Sequence, residues 1–405
     1  MMVSNTLNNI RNKEEMPLQL LKWVLSRNDI SSLDCYSQEQ IKEIQWEDTF
    51  CFYREHTIVA VTADLSRFIP KEYEVLKSQW KESVYSNVYL YSCIEQKQQK
   101  LLESFHSNGI PVAVVKGTSV AQYYPKPQLR TMGDIDLLVR PEDYDRAVDC
   151  LTKNGCKEYS SQSEIVTGRH RSFHYDGISI ELHHYFSKKV DEKKARALDN
   201  LLFNAISLKS TVLPDEENGL VLLSHIRQHL EEGIGLRQII DWFMFVRTCL
   251  DDEVWYSSFQ EKARITGLES LAISSTRMCQ KYLGLTTNNI TWCKDASKRT
   301  CDELMQYVIN CGNFGRSRGM LQSSAVQKLP KLSQPIRMLK HLQEHGERNW
   351  KALYKHPWLK PLAWTYQLCR YMNLVMQRKI GIDGIKRIYD EGQKRNEMFA
   401  ALGLK

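Results

Sequence analysis

The chain has 405 residues, 42% hydrophobic and 25% charged, with a formal net charge of +7. That length exceeds one ordinary core and suits two or three packed subdomains, and the balance is that of a soluble globular protein rather than a disordered or membrane-embedded one. Because no run of Lys and Arg is interleaved with aromatics, the positive charge permits a nucleic-acid partner without requiring one, and a phosphate-bearing small molecule suits it equally.

No apolar run approaches a membrane span, and Met1-Met-Val-Ser-Asn-Thr-Leu7 lacks a basic flank followed by an apolar stretch. A cytoplasmic protein with no membrane partner is expected. The eleven cysteines contain no Cys-x-x-Cys pair, which reads as reduced, mostly buried thiols rather than a disulfide or zinc framework.

Residues 1–84 read as helical. Leu18, Leu20, Leu21, Trp23 and Val24 share one apolar stretch, and Ile58, Val61, Leu65 and Phe68 recur at helical spacing before Ile69-Pro70. A long polar-faced helix is predicted from about Tyr85 to His106, stopped at Ser107-Asn108-Gly109. The pattern then turns strand-like. Val112 to Val115 is a short β-branched run bounded by Pro111 and Lys116-Gly117, after which Thr118 and Ser119 can cap a helix to about Tyr124. Ile135 to Val139 predicts a second strand, and Pro141 opens a helix that stops at Asn154-Gly155. Arg171 to Tyr175 and Ile178 to Phe186 predict two further strands joined by Asp176-Gly177, a strong hairpin signal. Beyond about residue 210 the pattern is helical to the end. The expected class is α+β: a small mixed-sheet core over residues 85–210, flanked by an N-terminal helical region, 1–84, and a C-terminal one, 211–405.

The most informative stretch is Gly133-Asp-Ile-Asp-Leu-Leu-Val139. Alternation along a strand puts Asp134 and Asp136 on one face and Ile135, Leu137 and Val139 on the other. Like charges held this close repel unless a divalent cation lies between them, and hard carboxylate oxygens suit Mg²⁺ or Mn²⁺. An Asp-x-Asp pair alone is weak evidence. The later strand strengthens it, because its alternation places Ile178, Ile180 and Leu182 inward and Ser179, Glu181 and His183 on the opposite face. If that strand lies beside the first, Glu181 supplies a third carboxylate and completes the ligand set of a two-ion phosphoryl-transfer site. Upstream, Gly117-Thr118-Ser119 sits where a strand feeds a helix, so its backbone N–H groups can receive phosphate oxygens.

Taken in order, Val115-Lys-Gly-Thr118, Tyr124-Pro125, Leu129-Arg130, Asp134-Ile-Asp-Leu-Leu-Val139 and Glu181-Leu-His183 resemble a bacterial family, the uncharacterised or type-5 nucleotidyltransferases of the polymerase-beta nucleotidyltransferase superfamily. The resemblance is densest from Ile110 to Phe186, with weaker echoes at His225, at Leu236-Arg-Gln-Ile-Ile-Asp241 and from Trp364 to Arg370. It implies that Asp134, Asp136 and Glu181 are catalytic and bind metal, that two ions of Mg²⁺ or Mn²⁺ are the cofactors, and that Gly117 with Thr118 or Ser119 contacts the nucleotide. The implied reaction moves a nucleoside monophosphate from an NTP, ATP by default, to an acceptor hydroxyl and releases pyrophosphate. One departure stands out. The superfamily's usual turn is Gly-Ser or Gly-Gly, whereas here Lys116 precedes Gly117 and Thr118 follows it, leaving Lys116 to pair with phosphate or point to solvent.

Several residues keep two readings. Arg130 can neutralise a triphosphate or anchor its loop to a carboxylate. His183 shares the face of Glu181 and is a candidate cleft residue, as are His225 and Asp241 through the weaker echo. His225 and His229, like His341 and His345, lie four apart on predicted helices and can reach one metal, but without the Glu of a His-Glu-x-x-His site solvated or hydrogen-bonded histidines are favoured. His184 points inward as a packed residue. A kinase reading of Val112 to Lys116 fails for want of a Gly-rich loop, a His-Arg-Asp loop and an Asp-Phe-Gly. The serious rival to catalysis is a catalytically silent nucleotide-binding or assembly subunit with the same fold. The sequence leaves the acceptor open, with a small molecule or protein favoured over nucleic acid.

Overall fold

Five strands form one mixed sheet in the computed structural model, which describes residues 12–26, 36–159, 170–187, 192–312, 335–354, 356–377 and 382–404. Among these residues the chain separates into two units near residue 317. The first carries the sheet.

Helices α1 (Asn12–Ser26), α2 (Gln38–Glu43) and α3 (Trp46–Glu55) open this unit. Leu18, Leu20, Leu21, Trp23 and Val24 are buried, as the apolar stretch predicted. Ile58 to Phe68 departs from the helical expectation. Thr57 adopts φ +55°, which ends α3, and the segment continues as turns and a short 3₁₀ piece at Ala63–Arg67. Helix α4 (Glu74–Ser107) starts well before Tyr85, because Leu76 and Trp80 already bury a helical face one turn apart.

The sheet order is β1 (Ala113–Val115), β2 (Asp134–Leu138), β5 (Ile178–His183), β4 (His170–Tyr175), β3 (Lys157–Glu158). Only the β2–β5 pair is parallel. The β4–β5 hairpin turns at Asp176 and Gly177, with φ +46° and +82°, the positive torsions a two-residue turn of this kind requires. Lys97 of α4 pairs with the Asp176 carboxylate at 2.7 Å. One sheet face packs Ile135, Leu137, Phe173, Ile180 and Leu182 against Leu101, Leu102 and Phe105 of α4 and against Ala147 and Leu151 of α6 (Tyr144–Lys153). Each such buried side chain contributes about 1.5–3 kcal/mol. With that face filled, the alternate residues of the same strands must point to the other.

Helix α5 (Gly117–Ala121) follows β1, and α7 (Glu192–Ala205), α8 (Asp215–Glu232) and α9 (Leu236–Cys249) follow the sheet. Arg140 ties the end of α7 to β2 by donating to the Phe203 and Ile206 carbonyls, a favourable use of a cation at a helix C-terminus. Residues 211–250 are tied to the sheet equally closely. The Val114 N–H donates to the Thr211 carbonyl at 2.7 Å, and Asn218 of α8 bonds the Ser119 carbonyl and the Tyr123 hydroxyl. Further helices run to α12 (Lys298–Cys311) by way of α10 (Gln260–Ile265) and α11 (Glu269–Tyr282).

The second unit holds α13 (Pro335–Asn349), α14 (Ala363–Gln377) and α15 (Ile382–Ala401). A Cβ at Gly346 would overlap the Ala363 carbonyl, so the contact between α13 and α14 depends on that glycine. Among the described residues no helix is long and apolar enough to cross a membrane.

Candidate active site

Parallel pairing of β2 with β5 sets Asp136 directly beside Glu181 and Asp134 beside Ser179. Paired residues on neighbouring strands point to the same face. All three carboxylates therefore emerge on the side opposite the α4 packing, as the strand alternation predicted.

Two nitrogen-bearing side chains, the Lys116 ammonium and the His183 imidazole, meet this cluster. The Lys116 Nζ lies 2.7 Å from Asp136 Oδ1, and His183 Nε2 lies 3.0 Å from the same oxygen and 3.3 Å from Glu181 Oε2. Asp136 is only 2% exposed. Of the two directions open to Lys116, the ammonium takes the one into the site. Its backbone is unusual as well, with φ +59° and ψ −144°, torsions that cost a non-glycine residue about 1–3 kcal/mol. Lys116 is the link between β1 and α5, and this bend turns the chain toward the cluster.

Gly117 follows with φ +39°. A Cβ there would meet the Asp134 carbonyl at 3.7 Å and the Met132 sulfur at 3.9 Å, ordinary contacts, so the torsion rather than crowding requires glycine. Thr118 and Ser119 do not cap α5 as expected; both lie inside its single turn. The Thr118 hydroxyl donates to Gln98 Oε1 at 2.8 Å and the Ser119 hydroxyl to the Lys116 carbonyl at 2.7 Å.

The three carboxyls titrate differently. Burial, then the neighbouring Asp136 charge, pushes Asp134 up to about 6. Burial opposes ionisation of Asp136 too, but the Lys116 ammonium and the His183 hydrogen bond outweigh it and hold that carboxyl well below the usual range. Glu181 is also lowered: burial raises it, and the His183 hydrogen bond overcomes that. His183 is raised in return, because its bonds to Asp136 and Glu181 exceed the effect of burial. Among the described residues, Asp134 is the carboxyl of the three left without a close cation.

Other residues singled out by sequence separate here. Arg130 donates from Nε and Nη2 to the two oxygens of Asp241 at 2.7 and 2.8 Å and from Nη1 to the Gly117 carbonyl at 3.0 Å. These bonds fill the anchoring role of the two that the sequence left open. Asp241 is 1% exposed and also accepts from the Tyr124 hydroxyl at 2.6 Å, so both of its oxygens are taken by buried partners. The physical reason is pairing: two opposite charges this deeply buried must satisfy one another.

His225 and His229 share an Nε2 to Nε2 contact of 2.8 Å. Burial, then the charge of Lys116, pushes the His225 pKa well below its ordinary value. The His184 ring lies tilted against Tyr144, centroids 3.9 Å apart, and is half-buried rather than fully packed. The side chain of His341 lies outside the described residues.

Two site residues escaped the sequence reading. Arg237, in the first turn of α9, donates to the Thr131 carbonyl at 3.2 Å, while its buried Nε has no hydrogen-bond partner among the described residues. Burial, then the charge of Arg130, lowers its pKa, and its own charge acts on Asp134. It sits inside the run Leu236 to Asp241, but nothing in that run distinguishes a site arginine from a surface one. His170 is the second. It pairs across the hairpin with His183 and lies near Glu181, an arrangement that only the register reveals.

A small mixed sheet carrying clustered carboxylates on one face, embraced by helices, is an α+β nucleotidyltransferase fold. The chain belongs to a family described as uncharacterised nucleotidyltransferases, whose model matches residues 42–284. No curated protein and no solved structure matches the chain significantly.

Proposed function

We propose that this protein is a metal-dependent nucleotidyltransferase that moves a nucleoside monophosphate from an NTP, ATP by default, to an acceptor hydroxyl. The observation that carries this reading is the β2–β5 register, which sets Asp136 beside Glu181 with Asp134 one strand repeat away. Carboxylate oxygens are the donor set that Mg²⁺ or Mn²⁺ prefers, and Asp136 already draws a cation, Lys116, to 2.7 Å. Asp134, Asp136 and Glu181 would hold two such ions. Held there, such ions would supply charge neutralisation and activation of the acceptor hydroxyl.

The chain's own groups do the rest. Lys116 and Arg237 offer positive charge for the triphosphate, and the Gly117 turn offers backbone N–H groups; electrostatic stabilisation of this kind is the main protein contribution to phosphoryl transfer. The acceptor oxygen bonds to the α-phosphorus as the bond to the bridging oxygen breaks, pyrophosphate departs with the electron pair, and the acceptor proton passes to solvent. Glu181, with its lowered pKa, is suited to be a ligand rather than a proton acceptor. The acceptor is proposed to be a small molecule or a protein.

The test is incubation of the protein with each α-labelled NTP, Mg²⁺ or Mn²⁺ and a cell extract, followed through label transfer and pyrophosphate release. Wild type should transfer label and Asp136→Asn should not. Tight nucleotide binding with no transfer for any metal would favour the silent nucleotide-binding subunit instead.

A further inference from the structure

We infer a second metal site beside the carboxylate cluster, formed by His170, Glu181 and His183 and suited to a first-row transition ion rather than to Mg²⁺. One ligand atom from each of the three residues lies within 4.8 Å of the others. The hairpin builds this arrangement. His170 on β4 is the register partner of His183 on β5, their rings 5.0 Å apart, and Glu181 lies one strand repeat away on the same face. Residues paired in this way across an antiparallel ladder converge at a single spot on the sheet.

The donor chemistry differs from that of the aspartates. Two imidazoles and one carboxylate form a borderline nitrogen and oxygen set, which suits Zn²⁺, Co²⁺ or Mn²⁺ and is a poor match for Mg²⁺. Three protein ligands also leave a coordination position open, as catalytic rather than structural sites do. The edge of the His183 ring turned toward Glu181 is Nε2, 3.3 Å from Oε2 and 3.0 Å from Asp136 Oδ1.

The inference goes beyond the proposed transfer reaction and shares only Glu181 with it. Glu181 would then face both sites, while Asp134 and Asp136 serve the hard cations alone.

The test uses the full chain stripped of metal and titrated with Co²⁺, whose visible ligand-field absorption reports nitrogen ligation directly, without any assay of activity. Wild type should take up one Co²⁺ with a visible band that millimolar Mg²⁺ does not remove and that Zn²⁺ displaces. His170→Gln should weaken Co²⁺ binding at least about tenfold, with near-ultraviolet circular dichroism confirming the fold. Asp134→Asn should keep the band, which separates this site from the transfer site. No band in wild type, a band lost to Mg²⁺, or a band unchanged in folded His170→Gln would each overturn the inference. None of these outcomes bears on whether label transfer occurs with Mg²⁺, so the two readings fail separately. Should His170→Gln not fold, His183→Gln serves as the second variant with the same expected loss of the band.

Discussion

The Lys116 ammonium sits 2.7 Å from Asp136 Oδ1, and the two side chains are 16% and 2% exposed. A carboxylate this deep in the protein keeps its charge only because cations face it. Lys116→Ala should therefore lower the stability of the metal-free chain by about 3 kcal/mol, the usual cost of removing one partner of a buried pair. Lys116→Gly should lose about 1 kcal/mol less, because glycine adopts φ +59° without strain. Urea denaturation of the three proteins checks both the loss and its order. Equal losses in Ala and Gly would mean that the backbone stores no strain at this position.

Asp134 gives a pH dependence whose sign follows from its raised pKa. Its carboxyl is moved from 3.8 to about 6, so the folded chain holds this proton more tightly than the unfolded one. The stability it supplies is fully present below about pH 4 and is lost as the pH rises through 6. A difference of one pH unit between the folded and unfolded values is worth about 1.4 kcal/mol. Reduced for a side chain that is partly exposed, the loss comes to about 2 kcal/mol. Asp134→Asn should thus be more stable than wild type at about pH 7.5 in the presence of chelator, and the difference should fade toward pH 4. Denaturation midpoints at the two pH values measure it, and a variant less stable than wild type at the higher pH would contradict the assignment.

The Arg130 pair with Asp241 makes a different demand. Lysine keeps the charge but cannot reproduce two parallel hydrogen bonds to one carboxylate together with a third to Gly117. Arg130→Lys is expected to cost about 2–4 kcal/mol of stability, while the folded variant binds nucleotide as wild type does. Thermal melting and equilibrium nucleotide binding together check this. A variant of normal stability with weakened nucleotide binding would return Arg130 to the triphosphate.

Gly219 on α8 lies under two aromatic rings, and a Cβ there would come within 2.5 Å of Phe245 and 2.7 Å of Phe259. Both rings are buried and have little room to retreat. Gly219→Ala should destabilise the protein by about 1–3 kcal/mol through overpacking, despite the better helix propensity of alanine. The melting temperature decides the sign.

Strand parity was legible in the sequence because it is local. Alternation alone put Asp134 and Asp136 on one face and Glu181 with His183 on another strand's matching face, and Asp176-Gly177 announced the hairpin through the torsions its turn requires. The same locality explains what stayed hidden. Arg130 and Asp241 are separated by 111 residues, and their choice of one another is set by the low dielectric in which both are buried rather than by anything near either in the chain. His170 meets His183 only through the β4–β5 register, and Arg237 reaches the region of Asp134 only because the first turn of α9 lies against the segment that leads into β2, where it bonds the Thr131 carbonyl. The sequence alone therefore determined the carboxylate face and the family resemblance, through short-range periodicity. Tertiary packing decided which charges are spent on one another and which remain to meet a ligand, because burial sets that choice and burial is a property of the whole fold.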